Sequence, residues 1–361
     1  MMSNYCSLLI GFWLQTSVFT RGLTLRAFTT PTTNTPGWHP LGFKRSFESG
    51  PKRIEFHQEN GSLNALVVWK SSNGSYFSRP DVCAHLGAKL SEGKILENGC
   101  LQCPYHGVTF GTNAQHEVAK KCYGIVHEEN GLLWWNKDPN EKYFQFCNEI
   151  NNFNSDSVVT RWEMEVQASF SDCFRNSMDL HHAAYLHEST FGNKVKDPEG
   201  IKMIWIDERT MRADFIYYSN DNYVGLTGEK TTNYHIFQSP STTWNKVLNE
   251  NGDKNVFVHV AMRATGPKTT KWYLTASTNY VPNVIPNELS EYVMKRITKQ
   301  VAFVEDKHQL EKMESEDIKD KHAYKITLPL DDIYNFWHEG YYGHKLHCDA
   351  NNVLFKSNCR R

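Results

Sequence analysis

Two short runs, Cys83-Ala84-His85 and Cys103-Pro104-Tyr105-His106, stand seventeen residues apart and each carry one thiol and one imidazole. Side chains of these types, paired in this way, bind metal. Two loops facing each other could clamp a two-iron, two-sulfide cluster, one iron taking both thiolates and the other both imidazoles. Gly87 and Gly107 come just after the two histidines, where a backbone folded tightly around sulfide needs a residue tolerant of positive φ. The rival reading is structural zinc. Two Cys and two His also suit tetrahedral zinc, and Cys100 makes a Cys-x-x-Cys with Cys103. The Cys-x-His spacing departs from the usual zinc pairs, which favours the iron cluster.

A second group lies downstream, Asn176-x-x-Asp179-x-x-His182-x-x-x-x-His187, with His181 beside it. The stretch holds neither Gly nor Pro and reads as a helix or broken helix. His182 and His187 are five residues apart, slightly more than one turn, so both reach one ion only if the helix unwinds between or beside them. Two imidazoles and one carboxylate on one face of an Fe(II) ion leave positions open for dioxygen and a substrate. The acid must come from elsewhere. Pro286-Asn287 opens a helical pattern, Leu289, Val293, Ile297, Val301 and Val304, that runs into Glu305-Asp306. Taken alone, that acidic pair also fits the solvated face of a helix.

The elements that must carry these residues are mostly strands. Leu66 to Trp69 and Ser75 to Phe77 flank Asn73-Gly74, a type I′ hairpin signal that leads into the first loop. Ile95-Leu96 and Cys100-Leu101 flank Glu97-Asn98-Gly99 and deliver the second loop in the same way. The cluster is therefore expected at strand tips near the surface, open to an electron partner. Leu132-Leu133-Trp134-Trp135 closes this part, its tryptophans packing in a core. The Asn-, Asp-, Glu- and Lys-rich stretch from Lys137 to Ser157 is the expected boundary. Beyond it Lys202 to Ile206, Thr210 to Tyr218, Val256 to Arg263 and Trp272 to Tyr280 read as strands, the third alternating as a half-buried sheet does.

The chain of 361 residues has room for two cores, and 40% hydrophobic with 22% charged residues is ordinary for a globular protein. A formal net charge of -1 gives no basic field for nucleic acid. The nine cysteines show no disulfide-scaffold spacing. There is no Gly-x-Gly-x-x-Gly fingerprint and no ferredoxin cysteine run, so the chain should not oxidise NAD(P)H unaided. No Asp or Glu precedes Glu48, whereas Arg21, Arg26, Lys44 and Arg45 do. An apolar stretch from Tyr5 to Phe19 followed by a Thr- and Pro-rich run to Pro36 reads as a targeting leader, resembling the bipartite leaders of algae with complex plastids. The rival readings are a mitochondrial presequence, a membrane anchor or a disordered tail.

The runs "CAHLGAKL" and "CPYHG" resemble the two loops of the Rieske family, and "NSMDLHHAAYLHESTFGN" resembles the iron motif of Rieske non-haem iron oxygenases, in the vanillate demethylase-like and chlorophyllide a oxygenase-like branch. Ala88 and Tyr105 stand where bc-complex Rieske proteins carry an extra cysteine pair, so the resemblance is to the oxygenase or ferredoxin branch. Leu86 and Val108 replace the Arg and Trp of many oxygenases. His347-Cys348-Asp349 and Leu354-Phe355-Lys356 resemble the closing segment of vanillate demethylase-like proteins.

What the resemblance implies is an α+β chain. A leader or disordered tail would cover 1–36, an all-β Rieske [2Fe–2S] domain 37–150, and a helix-grip catalytic domain, a curved antiparallel sheet around a long helix, 151–361. It implies a [2Fe–2S] cluster on Cys83, His85, Cys103 and His106, and a mononuclear Fe(II) on His182, His187 and Asp306, with Glu305 the alternative acid. By the same resemblance Asp179 bridges His182 Nδ1 to a cluster histidine of another subunit in a head-to-tail homotrimer, and Asn176 orients the site. The activity implied is mono- or dioxygenation, hydroxylating or oxidatively demethylating an apolar aromatic, sterol or tetrapyrrole. Electrons would come from a ferredoxin or NAD(P)H-dependent reductase. The alternative is a Rieske electron carrier with a non-catalytic C-terminal half.

Overall fold

The computed structural model describes residues 37–57, 63–141, 157–188, 190–192, 198–207, 209–219, 230–238, 240–280, 286–315 and 355–356. The leader, most of the expected boundary stretch and the His347-Cys348-Asp349 motif lie outside the described residues. The first part holds β1 (His39–Phe43), β2 (Lys52–His57), β3 (Leu63–Lys70), β4 (Tyr76–Pro80), β5 (Lys94–Ile95), β6 (Leu101–Gln102), β7 (Thr109–Phe110), a helical turn α1 (Glu117–Lys120), β8 (Ile125–Glu129) and β9 (Leu132–Asn136). These strands make three antiparallel sheets in the orders β1-β9-β8, β2-β3-β4 and β5-β6-β7.

Asn73-Gly74 does turn the chain between β3 and β4, but not as type I′. Gly74 has φ 86°, its N–H donates to Ser71 O at 2.9 Å, and Ser71 N–H donates to Ser75 O at 2.8 Å. That is a type I turn followed by a left-handed glycine bulge. The β5–β6 hairpin repeats the pattern, with Gly99 N–H on Leu96 O and Leu96 N–H on Cys100 O, both at 2.8 Å. The type I′ turn occurs instead at Asn130-Gly131, with φ 52° and 78°, where two residues join β8 to β9.

The second part comprises β10 (Val158–Val166), α2 (Phe170–Met178), α3 (His182–Leu186), β11 (Glu199–Trp205), β12 (Thr210–Tyr218), β13 (Lys230–Gln238), β14 (Thr242–Leu248), β15 (Asn255–Gly266) and β16 (Thr269–Thr278). There follow α4 (Asn287–Lys299), a π-helical stretch Gln300–Lys307, α5 (His308–Ser315) and a short β17 (Phe355–Lys356). One antiparallel sheet of eight strands runs β10-β16-β15-β14-β13-β12-β11-β17. The expected strands at 202–206, 210–218, 256–263 and 272–280 fall on β11, β12, β15 and β16. Strands β10, β13 and β14 fall outside that expectation; the last two mix polar with apolar residues at their buried positions, Thr231 and Asn233 with Phe237, and Thr242 and Thr243 with Trp244.

The sheet is buried on both faces. On one face Met164, Val166, Met211, Ala213, Phe215, Phe237, Met262 and Leu274 pack with Phe170, Phe174 and Met178 of α2 and with Ala302 and Leu310. On the other, Ile236, Trp244, Phe257, Ala261 and Tyr273 pack against Trp38, Phe43, Leu132 and Trp134 of the first part. So β15, expected to be half-buried, alternates between two cores. Strand β9 splits likewise, with Leu133 and Trp135 turned into the core of β1, β2 and β3. Buried Arg263 fixes the junction: its Nη1 donates to Pro40 O at 2.8 Å and Leu41 O at 2.7 Å, and Tyr273 Oη donates to Leu41 O at 3.1 Å.

Candidate metal centres

The two Cys/His loops are built alike. Cys83 N–H donates to Ala88 O and Gly87 N–H returns to Cys83 O; Cys103 N–H donates to Val108 O and Gly107 N–H returns to Cys103 O. Gly87 and Gly107 have φ 79° and 72°, which L side chains rarely adopt. The loops are held together from behind. Trp69 Nε1 donates to Gly99 O at 3.2 Å, and a Cβ on Gly99 would lie 1.9 Å from Ser71 Oγ, so the two delivering hairpins touch. Asp81, 2% exposed, anchors the first loop by accepting from Ser91 N–H and Oγ, each at 2.7 Å, and from Arg53 Nη1 at 2.6 Å.

Cys83 and Cys103 are buried, whereas His85 and His106 are exposed with ring centroids 4.8 Å apart. Burial raises the Cys83 thiol, which must lose its proton to become a ligand. Among the described residues, the grouping of three or more that could enclose one ion is His182, His187 and Asp306, not these four. A pair of thiols beneath a pair of rings fits two irons better than one zinc.

The second centre forms where the helix expected over 176–187 breaks. Helix α2 ends at Met178, Asp179 takes an extended ψ of 109°, and α3 starts at His182. His187 lies just past the end of α3, its backbone opened to φ -96° and ψ 22°. Gly192 permits the closure that follows: its N–H donates to His187 O at 2.7 Å, and a Cβ there would meet Ala183 O at 2.4 Å. From the π-helical stretch come Glu305 and Asp306, both buried. About 4.4 residues per turn set neighbouring side chains roughly 80° apart rather than 100°, so two consecutive acids can face one site.

His182 Nε2 and His187 Nε2 lie 3.3 Å apart, and Asp306 Oδ1 lies 3.4 Å from the first and 3.3 Å from the second. An ion just above the centre of such a triangle would sit about 2 Å from each corner, a normal metal–nitrogen or metal–oxygen distance. The set of two imidazoles and one carboxylate thus fits a divalent iron. Asn176 Nδ2 donates to Asp306 Oδ1 at 3.1 Å. Glu305, the alternative acid, faces the other edge of the ring: its Oε2 lies 2.7 Å from His187 Nδ1 and accepts from Thr190 Oγ1 at 3.1 Å. Phe191 stacks on His187 with centroids 4.8 Å apart.

The electrostatics follow. Burial works to lower His187, but the hydrogen bonds and charges of Asp306 and Glu305 outweigh it and raise the imidazole to about 9. Burial works to raise Asp306, and its contacts with His182 and His187 outweigh that and hold it well below the usual carboxylate range. His235 of β13 carries no motif that marks it in the sequence. Burial, and then the nearness of His182, pushes it down to about 3, so it is a neutral imidazole.

Asp179 is placed otherwise than expected. Its carboxylate Oδ1 accepts from the N–H groups of His181 and His182 at 2.8 and 3.3 Å, and it is the Asp179 main-chain carbonyl that meets His182 Nδ1, at 2.5 Å. Two orphan N–H groups at a helix start outcompete a ring nitrogen for the short Asp side chain. The carboxylate remains exposed.

Comparison with known proteins agrees with this arrangement. The Rieske [2Fe–2S] domain family matches residues 37–124. The chain is 28% identical over 170 residues to the oxygenase component of 3-ketosteroid-9-alpha-monooxygenase from Rhodococcus rhodochrous, covering 42% of each. It is 28% identical over 148 residues to chloroplastic chlorophyllide a oxygenase from Chlamydomonas reinhardtii, covering 38% of this chain and 22% of that one. The matches thus span less than half the length of these relatives. Among solved structures, dicamba monooxygenase bound to dicamba superposes with a TM-score of 0.66 at 15% identity, covering 85% of this chain and 96% of that one. Residues 37–124 thus carry a Rieske [2Fe–2S] domain, and the chain has the fold of Rieske oxygenases.

Proposed function

We propose that the chain is the terminal oxygenase of a Rieske non-haem iron system, hydroxylating or oxidatively demethylating an apolar small molecule with electrons from a separate ferredoxin or NAD(P)H-dependent reductase. The observation that carries this is the convergence of His182 Nε2, His187 Nε2 and Asp306 Oδ1 in a chain that also has both Rieske loops. When bound, a cluster on Cys83, His85, Cys103 and His106 relays single electrons, and an iron on the triad activates dioxygen. The chain's own residues prepare that chemistry. Exposed His85 and His106 offer their ring edges to the electron partner. Glu305 holds the proton on His187 Nδ1, which leaves the Nε2 lone pair aimed at the ion. Asn176 fixes the Asp306 oxygen. The apolar character of the sheet face on the iron side suits an aromatic, sterol or tetrapyrrole.

Asp179, exposed at the start of α3, can face the cluster histidines of a second copy, which supports a head-to-tail homotrimer. The acid-free leader and the chloroplastic relative support a plastid location; among the described residues no helix is long and apolar enough to cross a membrane. Iron analysis tests the reading. Anaerobically reconstituted protein should hold about three irons per chain, and His182→Ala about two with its cluster absorbance intact. With reductase, labelled dioxygen and cell extract, only the parent protein should put label into a product. Unchanged iron and turnover in His182→Ala would overturn the assignment.

A further inference from the structure

Behind the two cluster loops lies a buried cation with no part in holding metal. Arg79 of β4 is 8% exposed and stands four residues before Cys83. Its direct cross-strand partner is Val67, which packs in one core with Cys83, Cys103, Phe110 and Ala119, so the Arg79 side chain lies on the face that carries both thiols. The guanidinium sits 4.1 Å from the centre of the Phe110 ring, and its Nη1 donates to Ala119 O at 3.2 Å. A ring face and a carbonyl hold the group without neutralising it. Its Nε is buried with no hydrogen-bond partner. Among the described residues no Asp or Glu pairs with Arg79. Burial works to lower the guanidinium, and the thiols of Cys122 and then Cys83 work against that.

A buried guanidinium without a counter-charge destabilises a fold, and it cannot shed its proton. A negative charge that arises with the bound cofactor offsets that penalty. Cys122 does not supply it: burial pushes its thiol up, so near neutral pH it is uncharged. Cys83 and Cys103 do, because as ligands both are thiolates. Two ferric ions, two sulfides, two thiolates and two neutral imidazoles sum to zero charge. One added electron turns Fe(III)Fe(III) into Fe(III)Fe(II) and the whole into a monoanion, with no bond made or broken. On the side of exposed His85 and His106 water screens that charge, whereas Arg79 acts through the protein from the thiolate side. We propose that Arg79 raises the reduction potential of the cluster, its buried positive charge favouring the reduced, singly negative form. Only the cluster is involved, so Arg79 acts equally in an oxygenase or in an electron carrier.

Redox titration of anaerobically reconstituted protein with dithionite and mediators, followed by the visible absorbance of the cluster, tests this role. Arg79→Gln and Arg79→Met should each keep the parent's cluster content and electron paramagnetic resonance signature. Each should lower the equilibrium constant for one-electron reduction about ten-fold, a potential about 59 mV more negative. The gap from the parent should persist in about 1 M salt, since a buried charge is poorly screened. A purely structural role predicts the opposite sign: looser packing admits water, which favours the more highly charged reduced form and makes the potential more positive. An unchanged or higher potential in a variant that holds its cluster, a gap that vanishes in salt, or loss of the cluster from both variants overturns the proposal; where one variant loses its cluster, the other decides. None of these readouts depends on the mononuclear iron or on product formation, which decide the oxygenase reading separately.

Discussion

At the scale of single residues, the ring nitrogen that an acid meets separates the ligand role from the supporting one. Asp306 and Glu305 are adjacent and both buried, yet one addresses Nε2 of both rings and the other only Nδ1 of His187. Glu305→Gln should therefore leave the cluster spectrum unchanged and weaken iron retention about 10–100-fold in a chelator competition, the range expected for losing a hydrogen-bonded support of a ligand. Protons compete with iron at His187. Its pKa in the iron-free protein is raised to about 9, so the bond it makes stabilises that form fully below pH 6.5 and ceases to do so as pH rises through about 9. Metal uptake must displace that proton, so apparent affinity should rise about ten-fold per unit from pH 7 towards 9 and then level, measurable by titration with Fe(II) or Co(II). His182, His187 and the four cluster residues were legible in the sequence because each set is local.

At the scale of elements, the hairpins matter more than their turn residues suggest. Of the Asn-Gly pairs at 73–74, 98–99 and 130–131, the last makes a two-residue type I′ turn. The first two are embedded in one-residue-longer loops, a distinction set by pairing register, which the local sequence does not show. The first cluster loop hangs on Asp81, whose side chain is fully buried and whose partners are Arg53 and Ser91. Asp81→Ala should cost about 3 kcal/mol in denaturant unfolding by stranding buried donors, and the visible cluster absorbance should bleach before the rest unfolds. The π-helical stretch was equally illegible: the apolar spacing of Leu289 to Val304 matches an ordinary helix, and a widened turn leaves no mark in such a pattern. Deleting Ala302 should restore ordinary helical spacing, turn one acid away from His187 and leave about two irons per chain.

For the molecule as a whole, the face of the sheet away from iron carries a core of its own. His259 sits there between Trp134 and Trp244, and burial pushes it down to about 3. A histidine held neutral in the folded state stabilises above its unfolded pKa near 6.5, and that contribution drains away as pH falls towards 3, by about 1.4 kcal/mol per unit. His259→Gln should flatten the acid limb of the melting curve measured with iron chelated. Broad class and order of the two halves could be read from motifs alone; their mutual burial could not, because Trp38, Trp134 and Trp244 look the same in a sequence whether they meet their own core or another. Shared burial of this kind limits how the protein can be recombined. A chimera that grafts residues 37–141 onto the catalytic half of a relative inherits Trp38, Phe43, Leu132 and Trp134 without the Ile236, Trp244, Phe257, Ala261 and Tyr273 that were shaped to receive them, and should precipitate unless those five travel with the graft.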